Sequence, residues 1–215
     1  MNLLKGFIFD MDGVVVDNHH YHFQAWMEFA AKYNFPLNAE IYRNQFNGKT
    51  NADLFRMIFG EITQSEVERL ALEKESHYQR LYEKHMKPHV GLIDFLEFLH
   101  SNNFKVALGT SAPTSNVNFT LDKLSLRKYF HVIVDGPQVL RGKPDPEVYL
   151  MCVEKLNLTP GECVVFEDSL AGLKSGKRAG CRIVGVATSH RPDELLDMTN
   201  LIIPDFTEAR KLLRL

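Results

Sequence analysis

Residues 7–17 read FIFDMDGVVVD. The apolar run over 6–9 suits a strand buried on both faces, and Gly13 follows as a turn signal. Between them stand two aspartates, Asp10 and Asp12, where such a strand leaves a hydrophobic core. Carboxylates in that position need a reason, and the sequence on either side supplies one.

From about residue 20 to 85 the pattern is helical. Phe23, Trp26, Met27 and Ala30 fall at helical spacing within 22–33, and residues 63–82 are rich in Glu, Leu and Lys. After KPHVG at 87–91 the pattern alternates. Helices are expected over 92–100, 114–124, 146–156 and 169–179, and strands over 105–108, 132–134, 163–166 and 182–186. A short strand over 201–203 and a helix from about 207 close the chain. Alternation of this kind predicts an α/β fold, a doubly wound parallel sheet covered by helices on both faces. The first strand has no neighbour in sequence until the alternation resumes, so the helical stretch reads as an insertion. The expected organisation is an α/β core from 1–16 and 87–215 with a helical cap from 17–86.

The 215 residues are 45% hydrophobic and 24% charged, as in ordinary globular proteins. With 25 basic against 27 acidic residues the net charge is -2, which gives no footprint for nucleic acid or an anionic membrane. A small molecule is the expected partner. Cys152, Cys163 and Cys181 lie in apolar segments without CxxC spacing and read as buried thiols. Lys5, Asp10 and Asp12 interrupt the N-terminal apolar run, so neither a signal peptide nor a membrane span is expected. A cytoplasmic monomer is the default expectation.

In an open parallel sheet, ligands sit at the carboxyl ends of the strands. Strand ends here carry Asp10 and Asp12, then Gly109-Thr110-Ser111, then Glu167-Asp168, and the loop before the 146–156 helix carries Lys143. Two carboxylates about 4 Å apart repel by about 4 kcal/mol at an effective dielectric of about 20, so the cluster calls for a divalent cation. The candidate ligands Asp10, Asp12, Glu167 and Asp168 are hard oxygens, which favours Mg²⁺ over Zn²⁺. A cation admits a phosphate, whose remaining oxygens Lys143, Thr110 and backbone N–H groups can hold. One aspartate of the pair can attack phosphorus while the other protonates the leaving oxygen and then deprotonates water.

FDMDGVVVD, the GTS segment, the lysine of RGKPDPEVY and the acidic pair of VVFEDSLAGLKSGKRAG resemble, in order and spacing, the four motifs of the haloacid dehalogenase superfamily. The likeness covers essentially the whole chain and is strongest to the β-phosphoglucomutase-like phosphatases, which carry a helical cap after the first motif. It implies that Asp10 is the nucleophile forming an aspartyl phosphate. Asp12 would be the acid/base, with its carbonyl on Mg²⁺. Thr110, Ser111 and Lys143 would bind the phosphoryl group, and Asp168, helped by Glu167, the metal. A second aspartate such as Asp12 favours phosphate chemistry over carbon–halogen cleavage. YHFQAW at 21–26 resembles the mutase segment whose histidine, here His22, assists the acid/base.

The cap departs from the mutase pattern. Where the family's mutases place an arginine on the distal phosphate of a bisphosphate and a lysine nearby, this chain has Asn51 and Asn47, with Lys49 as a substitute cation from a shifted position. The expected activity is hydrolysis of a small phosphorylated metabolite, such as a sugar phosphate. The alternatives are interconversion of glucose 1-phosphate and glucose 6-phosphate, or a phosphate-binding module without turnover. NGKT at 47–50 and SGKR at 175–178 lack the upstream glycine of a P-loop. His19 and His22 lie at helical spacing but have no third zinc ligand nearby. Gly172 and Gly176 are expected to allow close helix–sheet packing, with Gly180 as a helix stop.

Overall fold

A computed structural model describes residues 3–46, 48–199 and 201–215. Six parallel strands, β1 (Gly6–Phe9), β2 (Lys105–Gly109), β3 (Val132–Val134), β4 (Cys163–Glu167), β5 (Arg182–Val186) and β6 (Leu201–Ile203), form one sheet ordered β3-β2-β1-β4-β5-β6. The strand over 6–9 is thus central. Phe7 and Phe9 turn to one face, where they meet Phe95, Phe104, Phe166 and Phe206, while Ile8 packs on the other face with Tyr149 and Val165. Side chains alternate across a strand, so a run apolar at every position fits a sheet covered on both sides. Each fully buried Phe or Ile contributes about 1.5–3 kcal/mol.

Between β1 and β2 the chain builds the helical insertion: α1 (His19–Lys32), α2 (Ala39–Ile41), a π-helical turn (Tyr42–Phe46), α3 (Asn51–Phe59) and α4 (Gln64–Tyr82). Trp26, Phe29, Ala30, Phe46, Leu54, Phe55, Val67 and Leu70 form its own apolar cluster. Thr63 caps α4 with a reciprocal Glu66 bond, which explains why the helix begins where its Glu-rich pattern does. Two crossings join insertion to core, and they are bonded to each other: His89 N–H donates to the Val15 carbonyl at 2.9 Å.

The sheet is flanked by α5 (Leu92–Ser101), α6 (Thr114–Lys123), α7 (Glu147–Lys155), α8 (Leu170–Arg178), the short α9 (Pro192–Leu195) and α10 (Ala209–Leu213). Gly176 packs against Ile183 and Val165 of the sheet, and Gly180, at φ +81°, follows the end of α8, both as expected. Cys152 and Cys163 are buried free thiols, whereas Cys181 is only half-buried because it lies just before β5 begins. Among the described residues no helix is long and apolar enough to cross a membrane.

Candidate active site

Register carries the site together. Phe9 is level with Leu108 on one side and Phe166 on the other, so Asp10, one residue on, comes level with Gly109 and Glu167. Thr110 and Asp168 follow immediately. This is the reversal in strand order where open parallel sheets place their ligands.

Asp10 is 5% exposed, and its backbone N–H donates to the Phe166 carbonyl at 3.0 Å. Met11 is buried in the core, and its carbonyl receives the N–H groups of Val14, Val15 and Val16. The chain thereby curls at once after the strand, with Gly13 at φ +78°. Glycine is required for a second reason: a Cβ there would overlap His19 Nε2 and Asp168 Oδ2. The residue expected as a turn signal also makes room for Asp168.

Lys143 lies fully buried between two carboxylates, with Nζ 3.0 Å from Asp10 Oδ1 and 2.5 Å from Glu167 Oε1. Burial penalises this ammonium, yet Asp10 and Glu167 hold its pKa above the usual lysine value. Asp10 shifts upward, well above the usual carboxylate range: burial dominates, Lys143 opposes it, and the charges of Glu167, Asp168 and Asp12 add to it. Glu167 accepts from Lys143, from Tyr149 Oη at 2.7 Å, from the N–H groups of Asp168 and Ser169, and from Ser169 Oγ. A Cβ at Gly172 would overlap this carboxylate, so that glycine serves Glu167 rather than the strand body.

One oxygen each from Asp10, Glu167 and Asp168 falls within 4.8 Å of the others. Among the described residues Asp10 Oδ1 is buried without a well-aligned hydrogen-bond donor, and Lys143 is the cation beside it. A buried, all-oxygen, mutually repelling trio with an oxygen lacking a donor fits a hard divalent cation. The five donors on Glu167 leave Asp10 and Asp168 as the freer carboxylates. Asp168 Oδ2 accepts from His19 Nε2 at 2.6 Å and from Thr188 Oγ1 at 3.3 Å. Burial opposes the Asp168 anion, but His19 keeps its pKa below the usual value; burial likewise opposes the His19 cation, and Asp168 raises its pKa to about 9.

Asp12 is held differently. Asn18 Nδ2 donates to its Oδ1 at 2.6 Å, and His22 Nε2 lies 3.5 Å from the same oxygen. Burial pushes Asp12 upward, but His22, Asn18 and His19 together lower its pKa to about 2. His22 stacks on Tyr78 with centroids 3.7 Å apart, and its Nδ1 lies 3.1 Å from Lys74 Nζ. An ammonium donates only, so Nδ1 accepts and the proton resides on Nε2, toward Asp12. Burial and Lys74 lower the His22 pKa, favouring the neutral ring. The two aspartates two residues apart therefore sit in environments that move their pKa values in opposite directions.

Thr110 is buried, its N–H donating to the Val134 carbonyl at 3.0 Å and its Oγ1 accepting from Ala112 N–H at 3.1 Å. Ser111 reaches across to the insertion, where Oγ donates to the Gly48 carbonyl at 3.0 Å. Asp10, Asp12, His22, Thr110, Ser111, Lys49, Asn51 and Asp168 all line one cavity between insertion and sheet. Trp26 belongs to the insertion's apolar cluster, as expected, and also walls this cavity. Asn47 lies outside the described residues, and Lys49 is exposed.

Asn51 has a partner that sequence reading did not supply. Its Nδ2 donates to Glu75 Oε1 at 2.7 Å, and Glu75 also accepts from Lys74 at 2.9 Å and from Asn116 Nδ2 at 2.7 Å. Lys74 and Glu75 stand in a helix whose charge pattern reads as a solvated face, so nothing in their spacing marked them. Asn18, His19 and Thr188 were likewise missed; the polar residues just beyond the first and fifth strands were the available signal.

The family model for haloacid dehalogenase-like hydrolases matches residues 7–186. A phosphorylated carbohydrates phosphatase of Thermotoga maritima is 36% identical over 187 residues, covering 86% of this chain and 87% of that protein. A β-phosphoglucomutase of Bacillus subtilis is 32% identical over 193 residues, covering 85% and 83%. Among solved structures, β-phosphoglucomutase from Clostridium difficile superposes with a TM-score of 0.85 at 27% identity, over 96% of this chain and 93% of that one. With the family's motifs at the strand ends and its insertion after the first strand, this chain belongs to the haloacid dehalogenase-like hydrolases, in the branch of β-phosphoglucomutases and sugar phosphatases.

Proposed function

We propose that the chain is a Mg²⁺-dependent phosphatase that transfers the phosphoryl group of a small sugar phosphate to Asp10 and then to water. The observation carrying this reading is the contrast between Asp10, buried beside the Lys143 ammonium at 3.0 Å, and Asp12, held by Asn18 and His22. The names of the Thermotoga phosphatase and of a fructose-1-phosphate phosphatase from Escherichia coli, 30% identical over 183 residues, agree with a phosphorylated carbohydrate as substrate.

Asp10 and Asp168 would hold the cation with the Asp12 carbonyl, while Glu167 orients Lys143 and the loop of Asp168. The cation would neutralise charge on the carboxylates and on the phosphate oxygens. Lys143, Thr110 and Ser111 bind the phosphoryl oxygens. An Asp10 oxygen forms a bond to phosphorus as the ester bond to the leaving oxygen breaks, and Asp12 gives that oxygen its proton. Asp12 is ionised without ligand, and an entering phosphate dianion beside it raises its pKa so that it arrives protonated. In the second half, the Asp12 carboxylate takes a proton from water, the hydroxide bonds to phosphorus, and the Asp10–phosphorus bond breaks. Asn18 holds that carboxylate in place at 2.6 Å, with His22 Nε2–H directed toward it from 3.5 Å.

Hydrolysis is favoured over mutase turnover because the Asn51 amide is engaged by Glu75. The segments 1–16 and 87–215 serve as the catalytic core, 17–86 as the substrate-selecting cap, and the enzyme acts in the cytoplasm. The test is phosphate release from a panel of phosphorylated metabolites. Asp10→Asn lowers turnover at least about 10³-fold, and a chelator abolishes it until Mg²⁺ is restored. Turnover that survives either treatment overturns the mechanism.

A further inference from the structure

The cavity wall opposite the acidic cluster holds a fixed negative charge. Glu75 is 4% exposed, yet it lines the same cavity as Asp10, Thr110 and Asp168. Its carboxylate is fixed from three directions: Asn51 Nδ2 at 2.7 Å and Lys74 Nζ at 2.9 Å on Oε1, and Asn116 Nδ2 at 2.7 Å on Oε2. Asn116, on α6 of the core, accepts in turn from Gln79 Nε2 of the insertion at 2.9 Å. The carboxylate is therefore held by both parts of the molecule when they are together.

A carboxylate offers about four acceptor positions and no proton, so three bonds leave one position open, on Oε2. A ligand hydroxyl can fill it by donating. A phosphate dianion cannot, because it has no proton to give and would leave the open acceptor facing its own oxygens. Lys74, which also lines the cavity, offsets the Glu75 charge and uses two of its three protons on Glu75 and His22 Nδ1, so the open position on Oε2 discriminates by its need for a donor. Lys49 lines the cavity too but is exposed, where its charge is screened. Asn51, the residue standing where a second phosphate would be gripped in the mutases, is turned to Glu75.

We propose that Glu75, fixed by Asn51 and Asn116, is the specificity-determining group that selects phosphomonoesters whose far end bears free hydroxyls and excludes those bearing a second phosphate. The proposal rests on the phosphatase reading for the identity of the reacting end. It makes Glu75 a group that touches substrate without taking part in bond making or breaking.

Binding can be read apart from turnover in the Asp10→Asn background with Mg²⁺ present. Calorimetric titrations use ribose 5-phosphate, glucose 6-phosphate and fructose 1-phosphate as hydroxylated probes. Phenyl phosphate serves as the ester without hydroxyls and glucose 1,6-bisphosphate as the bisphosphate. The Asp10→Asn protein should bind at least one hydroxylated monophosphate more tightly than phenyl phosphate. Adding Glu75→Gln should weaken that probe by about 30-fold, the loss of one bond to a charged acceptor. Phenyl phosphate should move by less than about 3-fold, and the bisphosphate should gain relative to the monophosphate. Equal weakening of phenyl phosphate and the sugar probe would assign Glu75 a purely structural role and overturn the proposal, as would no preference for any hydroxylated probe, or unchanged selectivity. Failure of the phosphatase reading shows separately, as no phosphate release by the unmodified enzyme from any ester.

Discussion

Lys143→Met removes the ammonium that lies against Asp10 while keeping most of the apolar stem. In the native fold this ammonium lies 3.0 Å from Asp10 Oδ1 and 2.5 Å from Glu167 Oε1, all three groups buried. At an effective dielectric of about 20, the attraction to Asp10 alone is about 5 kcal/mol. Much of it offsets the burial of both charges, and deleting one partner of such a pair costs about 3–5 kcal/mol because the other is left uncompensated. In a chain of this size that is about 10 °C of Tm. The loss depends on pH with a definite sign. The Asp10 pKa is already raised by burial, and Lys143 is the one charge lowering it. Without Lys143 it climbs further, so the folded variant holds a proton that the unfolded chain releases. That contribution is fully present below the unfolded carboxylate value of about 3.9 and disappears as pH rises through the folded one. Urea unfolding in chelator at about pH 5.5 and about pH 8 reads it directly. The variant should trail the native protein by about 4 kcal/mol at the higher pH and by about half as much at the lower. A deficit under about 1 kcal/mol at about pH 8, or one that shrinks as pH rises, refutes the reasoning.

Two further outcomes follow from the same electrostatics. Because Asp168 raises the His19 pKa to about 9, the contribution of this pair to the stability of metal-free protein is fully present below the ordinary histidine value of about 6.5. The protein should lose at most about 3 kcal/mol as pH rises through 9, a slope that His19→Gln should flatten in denaturant titrations and whose persistence would discount the pair. Lys74→Met removes the donor that keeps the His22 proton on Nε2. Ring ¹⁵N spectra should show a single tautomer in the native protein and a mixture in the variant, with turnover reduced about 10-fold; an unchanged tautomer would mean that Tyr78 stacking alone sets the ring.

The sheet was readable because its strands are apolar at nearly every position, and burial on both faces demands that pattern. The candidate site followed, since polar residues at the ends of such strands have no packing role to explain them. Asp10, Thr110, Lys143 and Asp168 were visible for that reason. The Lys74–Glu75 pair was not. Adjacent opposite charges in a Glu- and Lys-rich helix look like a solvated face, whereas His22, Trp26, Tyr78 and Asn51 of the insertion and Asn116 of the core close over them. Asn51, expected among the substrate-binding residues, lines the cavity, but its bond to Glu75 joins residues from different helices, and no periodicity reports that. Nor did local pattern mark the π-helical turn over Tyr42–Phe46, which sets Tyr42 and Phe46 on the same wall. His19 was visible as one of several histidines, while its pairing with Asp168 depends on the missing Cβ of Gly13.

The bond between His89 N–H and the Val15 carbonyl has a consequence for how freely such a protein can change. It holds the two ends of the insertion together at one point on the core, so to the core the whole helical segment is a closed loop. Loop-closure entropy rises only with the logarithm of length, about 0.6 kcal/mol for each doubling. Helices can therefore be lengthened, shortened or exchanged between Val15 and His89 at little cost to the sheet beneath, leaving the register that aligns Asp10 with Glu167 untouched. What such exchange must preserve is the short start of α1, because Asn18, His19 and His22 reach from it to Asp12 and Asp168 at the strand ends.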